Sequence, residues 1–159
     1  MTDESADSGA TEYEHVTVER EDGVGRVTLD RPEAYNSLDA ATARDLRAAV
    51  VALAEDDDVR CLVLGGNGPA FCSGADLGSF TGDESDRKRL DAVATPLHKT
   101  VETLATAQKP TVTAVGGVAA GGALGLALAA DVVLAHEDAR FEFTYTRIGL
   151  SGDGGSTWF

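Results

Sequence analysis

Hydrophobic and polar positions alternate in two short stretches near the start of the chain. Residues 15–19 and 26–29 have the period of two that is typical of β-strands, and the residues between them, Glu21-Asp22-Gly23, are a hairpin signal. Residues 61–64 form a short apolar run of the kind expected for a buried parallel strand. The pattern therefore predicts a hairpin that is followed by a buried strand of the same sheet.

Three longer stretches are typical of helices. Asp39 can cap a helix that runs to about Ala54, because the apolar residues after it recur on one helical face. Residues 83–108 form a second helical region, which we expect to be interrupted at Pro96, and residues 119–130 are nearly all Ala, Gly and Leu, as in a buried helix. The remaining strands are expected at residues 110–115, 131–134 and 141–143. This alternation of strands and helices predicts an α/β fold with a parallel sheet.

The chain is strongly acidic. Its 159 residues include 27 Asp and Glu against 13 Lys and Arg, a formal net charge of −14, while 43% of the residues are hydrophobic. That hydrophobic content excludes disorder throughout, and the charge argues against nucleic acid or an anionic membrane surface as a partner. Because neither a membrane-spanning stretch nor a signal peptide is visible, we predict a cytoplasmic protein.

The surplus of acidic side chains also bears on the environment of the protein. A highly negative surface keeps a protein soluble in strong salt, which favours a halophilic cytoplasm; an ordinary acidic protein with an acidic tail is the alternative. Residues 1–14 have hardly any apolar side chain and are expected to form a disordered acidic leader ahead of one domain at residues 15–159. Cys61 and Cys72 are too few for a disulfide framework, and no metal site is expected.

Two glycine-rich stretches, residues 71–77 and 117–123, follow predicted strands. The second has the glycine spacing of a nucleotide-binding phosphate loop, but Ala123 and Leu124 stand where such a loop has Lys and Ser or Thr. A glycine turn between a strand and a helix does supply free backbone N–H groups that can hold a developing oxyanion. On spacing alone, the alternative that these glycines only permit tight turns and close packing stays open.

Four segments, in this order, resemble the crotonase superfamily of enoyl-CoA hydratases and isomerases. They are Arg31-Pro32-Glu33-Ala34-Tyr35-Asn36-Ser37-Leu38, Phe71-Cys72-Ser73-Gly74-Ala75-Asp76-Leu77, Lys109-Pro110 leading to Gly117-Val118-Ala119-Ala120-Gly121-Gly122, and Ala130-Asp131. The resemblance implies a spiral of ββα units, an acyl-CoA thioester as substrate and an enolate intermediate held by two backbone N–H groups. CoA is then part of the substrate, and no separate cofactor is expected.

The C-terminal helical region of the superfamily has no counterpart in these 159 residues. In relatives that region covers the acyl pocket and builds trimers, so the resemblance implies a homotrimer or hexamer for the full-length form. We interpret the chain as a fragment or as the product of a shortened gene, and we expect it to be inactive alone.

Matching the motifs residue by residue assigns the two oxyanion-binding N–H groups to Ala75 and Gly122. The resemblance also implies a substrate path along residues 73–77 and a position near the thioester arm for Ala34. Tyr145 either donates a hydrogen bond in the acyl pocket or belongs to the core. The substrate-binding residues expected in this way are Ala34, Ser73, Gly74, Ala75, Asp76, Leu77, Gly121, Gly122 and Tyr145.

The general acid–base group departs from the hydratase pattern. Hydratases of the superfamily use two glutamates, and their positions fall here on Gly125 and Tyr145, neither of which can act as a carboxylate base. Asp153 lies in a segment that resembles a branch including isomerases of phenylacetate degradation, in which an aspartate at this position is a lone proton shuttle. One carboxylate suits double-bond migration, because no water has to be activated. The alternative is that Asp153 only caps a helix that begins near Gly155.

Other polar side chains are weaker candidates. Arg31 is a candidate partner for the phosphates of CoA, Glu142 is a reserve base, and Cys72 is expected to be a packed side chain without a nucleophilic role. The histidines of the chain are His15, His98 and His136. They show no ligand spacing and are expected at the surface or in caps. The leading hypothesis is an isomerase that acts on an acyl-CoA; a hydratase that uses another base and a non-catalytic acyl-CoA-binding subunit are the alternatives.

Overall fold

The computed structural model describes residues 13–159, so the predicted leader lies almost wholly outside the described residues. The described chain begins with a hairpin of two strands, β1 (Val16–Glu21) and β2 (Val24–Leu29). Asp22 and Gly23 join them with φ of 52° and 81°. Two left-handed residues in succession are what a type I′ hairpin turn requires, and the predicted hairpin is confirmed.

Eight strands of the described chain form two sheets. After the hairpin the strands are β3 (Cys61–Gly66), β4 (Ala70–Cys72), β5 (Thr111–Val115), β6 (Val118–Ala120), β7 (Val132–Ala135) and β8 (Arg140–Glu142). The larger sheet has the order β1-β2-β3-β5-β7, and every pair in it except β1 and β2 is parallel. The smaller sheet has the order β4-β6-β8 and is parallel throughout. The predicted parallel α/β sheet is therefore confirmed.

The first helix, α1 (Ala40–Glu55), begins where the sequence predicts it. The carboxylate of Asp39 accepts a hydrogen bond from the backbone N–H of Thr42 at 2.8 Å, which is the geometry of an N-cap. Leu46 and Leu53 lie on the buried face, as the period of the apolar residues indicates.

The second helix, α2 (Asp86–Thr106), runs through Pro96, so the predicted interruption is wrong. A proline inside a helix removes one N–H and leaves the carbonyl four residues earlier without its partner. That carbonyl belongs to Ala92, an exposed residue, where water can hydrate it. Pro96 itself is buried, and the hydroxyl of Thr100 donates to its carbonyl at 2.9 Å. Packing on the core thus keeps the helix continuous.

The third helix, α3 (Ala123–Leu128), is shorter than the predicted helix over residues 119–130. The backbone before it is used in β6, which pairs on both sides with β4 and β8. Gly121 then adopts a φ of 55°, which turns the chain out of the sheet before the helix can begin. Sheet pairing overrides the helical composition of this segment.

The smaller sheet positions the two glycine-rich stretches. Because β4 and β6 are paired in parallel, the loops that leave their carboxyl ends, residues 73–77 and 121–122, emerge side by side. The long helix α2 passes over these loops. Its Leu97 lies so close to Gly122 that a β-carbon placed there would be only 2.8 Å from the Leu97 side chain. Among residues 13–159, no helix is both long enough and apolar enough to cross a membrane.

Candidate active site

A cavity of about 500 Å³ opens where the two glycine loops meet α2 and the last segment of the chain. Its wall contains all the predicted site residues except Ala34 and Asp76. The predicted residues that line it are Ser73, Gly74, Ala75, Leu77, Gly121, Gly122, Tyr145 and Asp153. Apolar side chains of α2, among them Leu90, Val93 and Leu97, form another part of the wall. The fold thus brings together residues that are up to 80 positions apart in the sequence.

The loop after β4 leaves the backbone N–H of Ala75 free. Leu38 donates its N–H to the carbonyl of Gly74 at 2.8 Å and accepts the N–H of Asp76 at 2.9 Å. This parallel bridge uses the groups on either side of Ala75, so the N–H of Ala75 points away from residue 38. Within residues 13–159 that N–H makes no hydrogen bond to a protein group.

The loop after β6 leaves a second free N–H at Gly122. The N–H of Gly121 is bound to the carbonyl of Glu142 at 3.1 Å, and the N–H of Leu124 is bound to the carbonyl of Gly121 at 3.0 Å. The N–H of Gly122 between them has no acceptor in the part of the chain that the structure describes. Two donors without protein partners therefore stand in the wall of one cavity.

The two loops touch at Gly74, and glycine is required there. Gly74 has a φ of 91°, and a β-carbon on it would lie 2.7 Å from the carbonyl oxygen of Ala120 and 3.5 Å from the backbone nitrogen of Gly122. Any larger residue would push apart the loops that carry the two free N–H groups.

Asp153 stands across the cavity and is held by two side chains. The hydroxyl of Tyr145 donates to Oδ1 of Asp153 at 2.6 Å, and Nε2 of His98 lies 2.9 Å from Oδ2. Burial, aided by the hydrogen bond to Asp153, raises the pKa of Tyr145 to about 12, so its hydroxyl keeps its proton at neutral pH. The chain after Asp153 forms turns at residues 154–158, and the side chain of Asp153 bonds to Tyr145 and His98 instead of capping a helix.

The two positions that the motif resemblance assigns to hydratase glutamates, Gly125 and Tyr145, are closed to that role. Gly125 lies in α3 so close to the loop at Gly154 that a β-carbon on it would collide with the carbonyl oxygen of Gly154. Tyr145 occupies the other position, and its hydroxyl donates a hydrogen bond to Asp153. The only carboxylates in the described wall of the cavity are Asp153 and Asp86.

Asp86 is engaged elsewhere. Its carboxylate accepts the backbone N–H groups of Thr81 at 2.9 Å and Gly82 at 2.7 Å, and it pairs with Arg89 at 2.7 Å. These bonds join the loop before α2 to the first turn of the helix. Asp86 therefore has a structural role at this edge of the cavity.

Arg31 does not stand free to bind phosphate. Its guanidinium donates to Asp76 at 2.9 Å and also lies 3.5 Å from the carboxylate of Asp39. Asp76 in turn accepts the N–H of Gly78 at 3.1 Å. This network fixes the loop that carries Ala75. The cation in the described wall of the cavity is instead Arg87, for which the sequence predicts no role.

The weaker candidates take other positions. Cys72 is fully buried, and burial raises the pKa of its thiol to about 12, which suits the predicted packed and unreactive role. Glu142 lies 3.8 Å from Arg147 and is not in the described wall. Among residues 13–159 no three His, Cys, Asp or Glu side chains are grouped to hold a metal ion.

The role of His98 is not predicted from the sequence. The pattern predicts a surface or capping position, and the side chain is indeed 46% exposed, but its ring bonds to Asp153, 55 positions away. A helical period places residue 98 next to the buried face of α2 but carries no information about a contact with a distant loop. Only the tertiary structure reveals this pair.

The chain matches proteins of known family over most of its length. The family described as enoyl-CoA hydratase/isomerase matches residues 19–159. A "Probable enoyl-CoA hydratase" of Rhodobacter capsulatus is 39% identical over 148 residues, which are 92% of this chain and 56% of that protein. The 1,2-epoxyphenylacetyl-CoA isomerase of Escherichia coli K12 is 38% identical over 143 residues, which are 87% of this chain and 53% of that protein.

The fold agrees with these matches. A crystal structure of an enoyl-CoA hydratase from Mycobacterium avium subsp. paratuberculosis superimposes with a TM-score of 0.82 at 34% identity, over 92% of this chain and 57% of that one. The chain thus spans a little over half the length of the relatives it matches, and within that span it has their crotonase-type α/β fold, as the sequence predicts. It belongs to the enoyl-CoA hydratase/isomerase family.

Proposed function

We propose that the full-length protein is an enzyme that moves a double bond within an acyl-CoA thioester. The observation that carries this proposal is that the cavity offers a single available carboxylate for proton transfer. One carboxylate that is not used in folding, Asp153, faces the cavity, and the position at Gly125 has no room for a glutamate. One proton-transferring group is enough for isomerisation, whereas adding water also requires a group that activates the water.

The two free N–H groups are suited to the thioester oxygen. Removing a proton next to a thioester places negative charge on its carbonyl oxygen, and donors already aimed at that oxygen stabilise the charge. The N–H groups of Ala75 and Gly122 are free within the described chain and stand in one cavity wall. Loss of one oxyanion-binding donor costs about 3–4 kcal/mol of barrier in a hydrolase where it has been measured.

Asp153 then carries the proton. It removes a proton from C2 of a 3-enoyl-CoA, and the electron pair of the broken C–H bond is delocalised onto the thioester oxygen. The resulting carboxylic acid returns the proton at C4 while the electrons shift back, which leaves a 2-enoyl-CoA and an ionised Asp153. Proton, charge and electron pair balance without another reactant.

The resemblance to the 1,2-epoxyphenylacetyl-CoA isomerase of Escherichia coli supports an isomerase, since that relative is named for an isomerisation on a CoA ester, in its case of an epoxide. Other relatives are named hydratases, which keeps hydration by another base as the second candidate. Assembly as a homotrimer or hexamer and a cytoplasmic location remain predictions of the sequence analysis.

To test this proposal, the purified full-length protein is incubated in high salt with a 3-enoyl-CoA and, separately, with a 2-enoyl-CoA. The absorbance of the thioester is followed in each reaction. We expect conversion of the 3-enoyl-CoA with little hydration of the 2-enoyl-CoA. Asp153→Asn should lower isomerisation by about 10²–10⁴-fold, the usual contribution of a general acid–base group. The matched control is Glu142→Gln, which changes the reserve base outside the described wall of the cavity.

Other results would overturn the proposal. Hydration that exceeds isomerisation would favour the hydratase. Binding of CoA esters without turnover would favour a non-catalytic subunit, and equal isomerisation by wild type and Asp153→Asn would remove Asp153 from the mechanism.

A further inference from the structure

The carboxylate that the proposed function depends on sits on a segment with little conformational restraint of its own. Asp153 lies between the short 3₁₀ turn Tyr145–Ile148 and the turns that follow, outside any helix or strand. Gly149, Gly154 and Gly155 around it all have positive φ. Glycine loses more conformational freedom on ordering than other residues, so such a loop needs contacts to hold one side chain in a fixed direction.

His98 provides such a contact from a rigid element. It lies on α2, whose neighbouring Leu97 and Val101 are buried in the core. Its Nε2 is 2.9 Å from Oδ2 of Asp153. The same imidazole ring packs over Gly154, where a β-carbon would lie 3.5 Å from Cδ2 of His98. The ring therefore contacts both the carboxylate and the backbone next to it.

We propose that His98 is a positioning residue, which together with Tyr145 holds the carboxylate of Asp153 in the direction needed for proton transfer. This inference rests on the proposed function. An ionised carboxylate only accepts hydrogen bonds, so the network assigns a hydrogen to Nε2 of His98. Oδ1 of Asp153 then accepts a hydrogen bond from Tyr145, and Oδ2 accepts one from His98, so one lone pair on each oxygen is occupied. The remaining lone pairs stay open for the proton of the substrate.

His98 acts through Asp153 and not on the substrate. It is not part of the described wall of the cavity, whereas Asp153 and Tyr145 both are. A catalytic group has to stay within a fraction of an ångström of its productive position, and a displacement of about 1 Å costs about 10²-fold in rate. Loss of His98 is therefore expected to lower kcat much more than it changes KM.

The experiment compares His98→Ala with His98→Gln in the full-length protein. The amide nitrogen of glutamine can take nearly the position of Nε2 and donate the same hydrogen bond, but glutamine does not ionise. We expect His98→Ala to lower kcat by about 10–100-fold with KM nearly unchanged, and His98→Gln to recover most of the loss. His136→Gln is the matched control, because His136 is exposed and is not part of the described cavity wall.

Amide hydrogen exchange of residues 149–155 gives a readout that does not depend on activity. Exchange should be faster in His98→Ala than in wild type and should return toward the wild-type rate in His98→Gln. An unchanged kcat in His98→Ala, or unchanged exchange in that variant, would overturn the positioning role. A loss in His98→Gln as large as in His98→Ala would place His98 in the proton transfer itself and would equally contradict the proposal. Absence of turnover in wild type would contradict the proposed function, while the exchange measurement would still decide whether His98 orders the loop.

Discussion

At the residue scale, one glycine limits which acid–base groups this cavity can carry. Gly125 faces the carbonyl oxygen of Gly154 so closely that even a β-carbon would collide with it. The backbone at Gly154 therefore fills the space at the position that the motif resemblance assigns to one of the hydratase glutamates. The loop that carries Asp153 rests directly on α3 at this point.

Gly125→Ala is expected to destabilise the protein, although the same change in an open helix position stabilises. Alanine normally gains roughly 0.5–1 kcal/mol over glycine inside a helix, but overpacking costs about 1–3 kcal/mol. The free energy of unfolding in urea should therefore fall. Gly116→Ala is the control, because nothing lies within 4 Å of a β-carbon there and its φ is not in the left-handed range. A Gly125→Ala variant as stable as wild type would show that the contact with Gly154 is loose.

At this scale the sequence predicts some of the residues around the cavity and not others. Ala75, Gly122 and Asp153 meet at one cavity as the motif resemblance implies, because their positions follow from the strand ends and loops that carry them. Their chemical roles stay predictions. The contact of His98 with Asp153 could not be predicted, since it depends on how α2 lies over a distant loop, and no local pattern records that geometry.

At the element scale, local signals predict where elements begin better than where they end. The cap at Asp39 and the hairpin at Asp22-Gly23 are set by nearby backbone groups, and both are confirmed. The break expected at Pro96 and the long helix expected over residues 119–130 are wrong. In both cases tertiary packing or sheet pairing outweighs the local preference.

The cap of α1 can be tested directly. Burial raises the pKa of Asp39, but hydrogen bonding from the first turn of α1, above all from the backbone N–H of Thr42, and the charge of Arg31 outweigh it, and the pKa lies below its ordinary value of 3.8. The ionised cap therefore stabilises the fold at neutral pH, and this contribution is lost as the pH falls below that value. Asp39→Ala should cost about 1 kcal/mol in unfolding free energy at pH 7.

Asp39→Asn is the conservative control, because asparagine caps helices about as well as aspartate. At pH 7, Asp39→Asn should lower the free energy of unfolding by less than Asp39→Ala does. That smaller decrease should come mainly from the missing charge near Arg31. Equal stability of wild type and Asp39→Ala would mean that tertiary packing alone holds the start of α1.

At the scale of the whole molecule, the acidic charge has to be reconciled with the proposed substrate, an acyl-CoA that carries phosphates. The net charge is −14, and Arg31 is used within the fold to hold the loop at Asp76. Arg87 is the cation that faces the described cavity. The halophilic interpretation of this charge stays a prediction, as does the exclusion of nucleic acid as a partner.

The central claim is that Asp153 alone transfers the proton while free backbone N–H groups hold the thioester oxygen. The most direct test converts a 3-enoyl-CoA in D2O with the full-length protein and follows, by proton NMR, the loss of the C2 proton and the hydrogen added at C4 of the product. Because Asp153 returns to C4 the proton that it takes from C2, wild type and Glu142→Gln should both form the 2-enoyl-CoA with protium retained at C4, and Asp153→Asn should form it about 10²–10⁴-fold more slowly. Conversion at the same rate in wild type and Asp153→Asn would contradict the account.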